Sequence, residues 1–551
     1  MTTATAPRAA TPAARPTTRG DALAGTGKLI RFNLRRDRIR LPVWIAVLGG
    51  IQLAGPAAYL EQFPTAADRA ANATVMAENP ALKAFTGPGH GLDNYTYGAM
   101  MGNEYLGLML IFVALMSVLT VVRHTRTEEE TGRAELVRSA PIGRHAYLTA
   151  ALATAAIANV ALGLLVAVGM AGQGIESIDW PGSLTFGAAY VVVGLFFAGV
   201  AAVTVQISEF ARAASGMAGA VIAVSYGLRA IGDAGENGVS WLSPIGWAQA
   251  SAPYVDNNWW PLGLALAGAV GLAAAGYRLS TRRDYGAGLR PERPGRATAP
   301  AGLGSPLGLA WRLHRASIGW WTVALLFGAF GYGSAIDAVE GYEDNEFVQQ
   351  MVEQIGGSMT EAFLALSIAI LAIVCAVFAV LTMLRPRREE IAGRAEPVLA
   401  TAVSRTGWLA SHLVIALAGS VFLLLVTGVG LGGGAALVTG ESHYLSDAVP
   451  AILTYTPAVW LLAGLATAGF GVLPRVTGLA WALLGYAGVV AYFGGLLDLP
   501  SWLLNLSPFE HVPRLPIDDF TAVPLLVLTA IAAALAAVGL VGFRRRDLDS
   551  K

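Results

Sequence analysis

A single cysteine, Cys375, excludes an intrachain disulfide and any thiolate-rich metal site. It lies inside an apolar run, as filler facing lipid or core. Seven histidines are scattered without the spacing of a zinc site or a nucleophile–base–acid triad, so the chain carries no enzyme signature. The nearest approach to a nucleotide-binding loop, Gly25-Thr26-Gly27-Lys28-Leu29, lacks the first glycine of that motif and the hydroxyl residue that would hold Mg²⁺. Charge is scarce: 13% of residues, where soluble domains carry about a quarter. Lys plus Arg equal Asp plus Glu at 37 each, and no basic excess points to nucleic acid.

What the chain has instead is apolar surface. Hydrophobic residues make up 55% and cluster into runs of about 20, the length that crosses about 30 Å of hydrocarbon. The runs predict an all-α integral membrane protein of about twelve spans: 41–60, 99–122, 147–170, 184–207, 214–231 and 260–278, then 319–335, 360–384, 408–431, 449–473, 476–497 and 521–543. All but four of the 37 Lys and Arg fall in segments assigned to the inside, the exceptions being Arg69, Lys83, Arg229 and Arg514. The loop after the seventh span is purely acidic (Asp337, Glu340, Glu343, Asp344, Glu346, Glu353). Both termini are therefore expected in the cytoplasm. Residues 1–25, rich in Ala, Thr and Pro, read as a disordered cytoplasmic tail.

Four landmarks recur in the same order. Leu34-x-Arg36-x-x-Ile39 precedes the first span and Leu313-x-Arg315-x-x-Ile318 the seventh. After the second and eighth spans come Glu128-Glu129-x-x-Gly132-Arg133-Ala134-Glu135 and Glu389-Glu390-x-x-Gly393-Arg394-Ala395-Glu396, each followed by an Arg (Arg144, Arg405) and an aromatic-Leu pair. Leu242-Ser243-Pro244 is echoed by Leu506-Ser507-Pro508, and the copies end in Arg282-Arg283-Asp284 and Arg545-Arg546-Asp547. The expected organisation is thus two tandem six-span halves, 26–284 and 305–551, joined by a Gly/Pro/Arg-rich cytoplasmic linker at 285–304. Six is even, so the halves enter the membrane in the same orientation, related by an axis along its normal.

The repeated Glu/Gly-Arg-Ala-Glu segments have a short helical stretch, with Leu136, Val137 and Ala140 near one face in the first copy. One such segment on its own is ordinarily a solvated loop. Its duplication in register points to two equivalent partner sites, made structurally unequal by Pro397 in place of Leu136 and Ala402 in place of Pro141. The stretches 28–40 and 306–318 mix basic with apolar residues (Arg31, Arg35, Arg38; Trp311), the composition of interfacial helices.

This order of interfacial helix, span, long external loop, span, Glu-rich cytoplasmic helix, four further spans and a Ser-Pro turn resembles the permeases of type-2 ABC exporters. The fused pair, with its Glu-Glu-x-x-Gly-Arg-Ala-Glu loops and Arg-Arg-Asp ends, resembles actinobacterial exporters of polyketide antibiotics, a group that includes tetronasin-type and multidrug efflux permeases. The resemblance covers residues 26–549. It implies a separate ATPase dimer that binds ATP and Mg²⁺, docks on the two cytoplasmic helices and swings the halves between inward- and outward-facing states. The coupling residues would be Glu128, Glu129, Gly132, Arg133, Glu135, Glu389, Glu390, Gly393, Arg394 and Glu396. The second and fifth spans of each half would line the path of a hydrophobic small molecule, offering Met101, Tyr105, Met109, Phe112 and Met116, then Tyr226, Phe363, Phe378, Tyr486 and Tyr492; ordinary helix packing explains such residues equally well. Glu104 and Glu361, near outer span ends, are expected as boundary residues. The competing expectations are a secondary transporter driven by an ion gradient, whose usual basic loop after the second span is absent here, and a membrane scaffold or immunity protein that moves nothing.

Overall fold

In a computed structural model of the chain, residues 21–139, 141–290, 297–336, 358–493 and 500–548 are described. The acidic stretch 337–357, most of the N-terminal tail and part of the linker lie outside them. Every regular element among the described residues is helical. That follows from the solvent: in hydrocarbon each N–H and C=O needs a partner within the chain, and a helix supplies all of them locally.

The first copy runs α1 (Thr26–Arg36), α2 (Arg40–Gln62), α3 (Leu106–Arg123), the short α4 (Arg126–Glu130) and α5 (Arg133–Arg138), then α6 (Ala146–Ala171), α7 (Trp180–Ile207), α8 (Ala211–Ala234) and α9 (Trp260–Ser280). The second runs α10 (Pro306–Ser334), α11 (Met359–Met383), α12 (Arg385–Ile391), α13 (Ala395–Leu399), α14 (Arg405–Thr439), α15 (His443–Leu453), α16 (Thr456–Val472), α17 (Leu479–Phe493) and α18 (Ala522–Arg545). Ten helices among the described residues are long and apolar enough to cross a membrane, and they coincide with ten of the twelve expected spans. The other two are α10, which opens with the polar residues Arg312, His314 and Arg315, and α17, whose described part has 15 residues.

By contact, the chain divides into two compact units, Met1–Pro64 with Lys83–Arg293 and Thr65–Leu82 with Pro294–Lys551. The helix Ala66–Glu78, between the first two spans, therefore groups with the second unit, where Asn79 donates to the Ser334 carbonyl at 3.2 Å.

Within the first unit, buried polar pairs tie helices together where apolar attraction between helices is weak. Asn159 on α6 donates to Ser117 on α3 at 2.8 Å, and Tyr190 on α7 donates to Gln52 on α2 at 2.6 Å. Ser243 accepts from the amides of Ile245 and Gly246 with Pro244 at the first helical position, so the first Leu-Ser-Pro starts a six-residue helix. In the second, Ser507 accepts from Phe509 in a turn.

In the second unit, α16 and α18 meet backbone to backbone. A Cβ on Gly471 would lie 1.9 Å from the Gly539 carbonyl oxygen, and one on Gly539 would lie 2.4 Å from that of Thr467. Gly539→Leu should therefore separate the helices at a cost of about 2 kcal/mol, read as a lower melting temperature in detergent. An unchanged melting temperature would show that the close approach is not needed.

Candidate functional site

Each Glu-rich segment is a helix–glycine–helix elbow. α4 and α12 end at Gly132 and Gly393, whose φ of +71° and +69° lies in the left-handed region, and α5 and α13 follow. Nothing lies within 4 Å of a Cβ at either glycine, so the reason for glycine there is backbone conformation rather than space.

The structure separates the glutamates into two kinds. Arg283, at the end of the last helix of the first copy, donates from both terminal nitrogens to the Glu129 carboxylate at 2.7 and 2.9 Å. Arg546, its counterpart in the second copy, does the same to Glu390 at 2.8 and 2.9 Å. Two sequence landmarks more than 150 residues apart thus form one forked ion pair, and they form it twice. The Arg that follows each Glu-rich segment joins them: Arg144 donates to the Thr281 carbonyl at 2.9 Å, and Arg405 donates to the Arg546 carbonyl. Both pairs are largely shielded, with side-chain exposures between 5% and 13%.

The clasps are not identical. Glu129 also accepts from Arg126 at 2.8 Å; that arginine is fully buried and donates to the Val205 carbonyl from Nε at 3.0 Å. Its counterpart Arg387 reaches Thr477 at 3.3 Å instead, while Arg546 lies over the rings of Phe470 and Phe543 at 5.1 and 5.4 Å. Glu128 accepts from Arg36 of α1, whereas Glu389 accepts from Arg394 at 2.6 Å and lies 3.5 Å from Arg385. The hydrogen bond to Glu389 pushes the Arg394 guanidinium above its ordinary value. A polar cavity of about 310 Å³ opens beside the first clasp, bordered by Glu129, Arg283, Arg144, Tyr147 and Gln206.

Beyond the glycines the segments face outward. Arg133 and Glu135 are exposed on α5, with Leu136 at 77%, and Arg394 and Glu396 are exposed at α13. The repeat thus holds an inward pair of glutamates and, beyond the glycine, an exposed Arg and Glu, of which Arg394 is bonded to Glu389.

Sequence reasoning missed three participants. Arg126 and Arg387 stand two residues before each Glu-Glu, a repeat visible in the sequence. Asp37, at the junction of α1 and α2, is fully buried; His124 Nε2 lies 2.7 Å and Arg123 Nε 3.0 Å from its carboxylate. Burial opposes the Asp37 charge, yet His124, Arg123 and Arg40 hold its carboxyl below the usual range. No periodicity signals that contact.

The proposed path residues do not share one environment. Met101, within a π-helical turn at Met101–Tyr105, is buried with Met109 and Met116 in the first unit, while Phe112 is 39% exposed. Tyr105 is half-buried and meets Tyr59 edge-on at 5.5 Å. Tyr226 donates to the Phe85 carbonyl at 2.6 Å, beneath Arg229. Phe378 is fully buried against Trp321, Phe363 is half-buried, and Tyr486 donates to the Leu503 carbonyl at 2.6 Å. The Tyr492 side chain lies outside the described residues. Glu104 is not simply a boundary residue, since it accepts from the Tyr59 and Tyr95 hydroxyls; Glu361 caps α11 by accepting from the Ser358 amide.

The chain is 43% identical, over 537 residues covering 96% of each sequence, to the multidrug efflux system permease protein Rv1217c of Mycobacterium tuberculosis. The family described as "Multidrug efflux system permease Rv1217c, C-terminal domain" matches residues 66–279 and 303–544. With its apolar helices and paired elbows, this multi-pass membrane chain belongs to the Rv1217c family of multidrug efflux permeases, whose members serve as permeases rather than enzymes.

Proposed function

We propose that the chain is the permease subunit of an ATP-driven ABC exporter in a bacterial cytoplasmic membrane, with both termini cytoplasmic. Its twelve spans would form two parallel halves, 26–284 and 305–551. A separate ATPase dimer would bind ATP and Mg²⁺ and dock on α5 and α13; the cargo would be a hydrophobic small molecule of antibiotic, polyketide or multidrug kind. The observation that carries this reading is the twin elbow: two segments of the same geometry, each clasped from within by Glu129–Arg283 or Glu390–Arg546 and each presenting an outward Arg and Glu. A two-headed partner requires two such places, and a rigid clasp lets a push on the elbow reach the end of the sixth span of that half.

The test is co-purification with a candidate ABC ATPase subunit from the same organism, followed by ATP hydrolysis and transport in liposomes. Changing Glu135→Arg and Glu396→Arg together should abolish co-purification and reduce transport at least about tenfold, because exposed interface charges lose attraction and gain repulsion on reversal. Intact assembly and transport in that variant would refute the docking assignment. Transport driven by a proton gradient with no ATPase present would refute the exporter reading itself.

A further inference from the structure

α1 is held on α6 by one face. Leu29 is buried against Ala146 and Ala150 with Ile30, Ile142 and Tyr147 around it, and the buried Asn33 donates to Thr154 at 3.4 Å. This fixes the rotation of α1 about its axis, and the face turned away is unusual. Lys28, Arg31 and Arg35 on the helix, and Arg38 in the turn after it, are all exposed. No carboxylate among the described residues pairs with any of the four, whereas their neighbour Arg36 is taken by Glu128. Between the cations, Phe32 is 53% and Ile39 70% exposed.

Cations alternating with large apolar side chains suit neither water nor a protein core. They suit the boundary between headgroups and acyl chains, where rings and branched side chains sink inward and long basic side chains reach outward to phosphate. The position agrees, because the first membrane span begins at Arg40, directly after this face. The matching stretch at the start of α10 is weaker: Arg312 and Arg315 are its only exposed cations, beside Trp311 at 52%.

We propose that the exposed face of α1 binds anionic phospholipid headgroups, and that the second copy lacks an equivalent of this strength. The four charges supply the selectivity for anionic over zwitterionic lipid, since each basic side chain near an anionic surface favours it by about fivefold. The consequence reaches the elbow, because α1 is tied to the start of α4 through Arg36–Glu128 and to the end of α3 through Asp37–His124. The inference depends on the chain being embedded in a membrane and not on what energises it.

Native mass spectrometry of the full chain, titrated in detergent with phosphatidylglycerol or phosphatidylcholine, tests it. The wild type should bind phosphatidylglycerol preferentially. K28Q/R31Q/R35Q/R38Q should weaken that binding by more than about tenfold without affecting phosphatidylcholine, and R312Q/R315Q should weaken it less. The single changes Arg31→Gln and Arg35→Gln, too mild to threaten folding, should each weaken it by about fivefold. Equal binding of the two lipids by the wild type, or phosphatidylglycerol binding unchanged in both the quadruple and the single variants, would overturn the proposal. So would a quadruple variant that keeps the lipid and loses a co-purifying protein, since the face would then be a protein interface.

Discussion

Arg546→Glu should lower the melting temperature of the purified chain sharply, and Glu390→Arg placed in the same chain should recover most of the loss. The single change sets two carboxylates against each other at a site where Glu390 retains only 5% of its side-chain exposure. Removing one member of such a pair leaves an uncompensated charge and costs about 3 kcal/mol. Exchanging the charges rebuilds the forked geometry, although the cation stacked on Phe470 and Phe543 is lost and recovery should fall short of complete. The first copy should behave differently. Arg283→Glu should be as damaging, but adding Glu129→Arg should not rescue it, because residue 129 also faces the fully buried Arg126. Rescue in both copies, or in neither, would show that Arg126 is not what distinguishes the two clasps. The readout that separates a coupling role from a merely structural one is transport per assembled complex, which the rescued second-copy variant should retain.

Asp37→Asn should have an effect of similar size through a different route. Among the described residues the Asp37 carboxylate is the negative group that His124, Arg123 and Arg40 share, and both Asp37 and His124 are withdrawn from solvent. The amide keeps the shape and removes the charge. Arg123 and Arg40 then lose the buried counter-charge that they share, at a cost of about 3 kcal/mol. Because Asp37 stands where α1 turns into α2, and His124 where α3 gives way to α4, the loss should also loosen α1 against the elbow, leaving Arg36–Glu128 as its remaining tie. Limited proteolysis between α1 and α2 should become faster than in the wild type, and His124→Gln should show a smaller change, since it removes one partner and leaves Arg123. A melting temperature and cleavage rate equal to those of the wild type would show that the node is ornamental.

Much of the fold was legible because it depends on neighbouring residues alone. A run of about 20 apolar residues has one stable conformation in hydrocarbon, so the positions of ten spans followed from hydropathy. α10 stands apart for the same reason, since it begins as a polar interfacial helix, and α17 is described over 15 residues. The place of the two Glu-rich segments and a short helix in them were legible as well, but the bend at Gly132 and Gly393 emerged only with their positive φ.

The roles of the individual glutamates were not legible. The sequence by itself determined an all-helical membrane chain with two Glu/Arg-rich segments at matching places, each followed far downstream by Arg-Arg-Asp. Only the tertiary structure decided that Glu129 and Glu390 turn inward to those arginines while Glu135 and Glu396 face out. It likewise decided that Asp37 meets His124 and that one basic face of α1 is left open. The physical reason is that hydropathy and glycine conformation act over a few residues, whereas an ion pair is made by helix ends that packing brings together across more than 150 residues of chain.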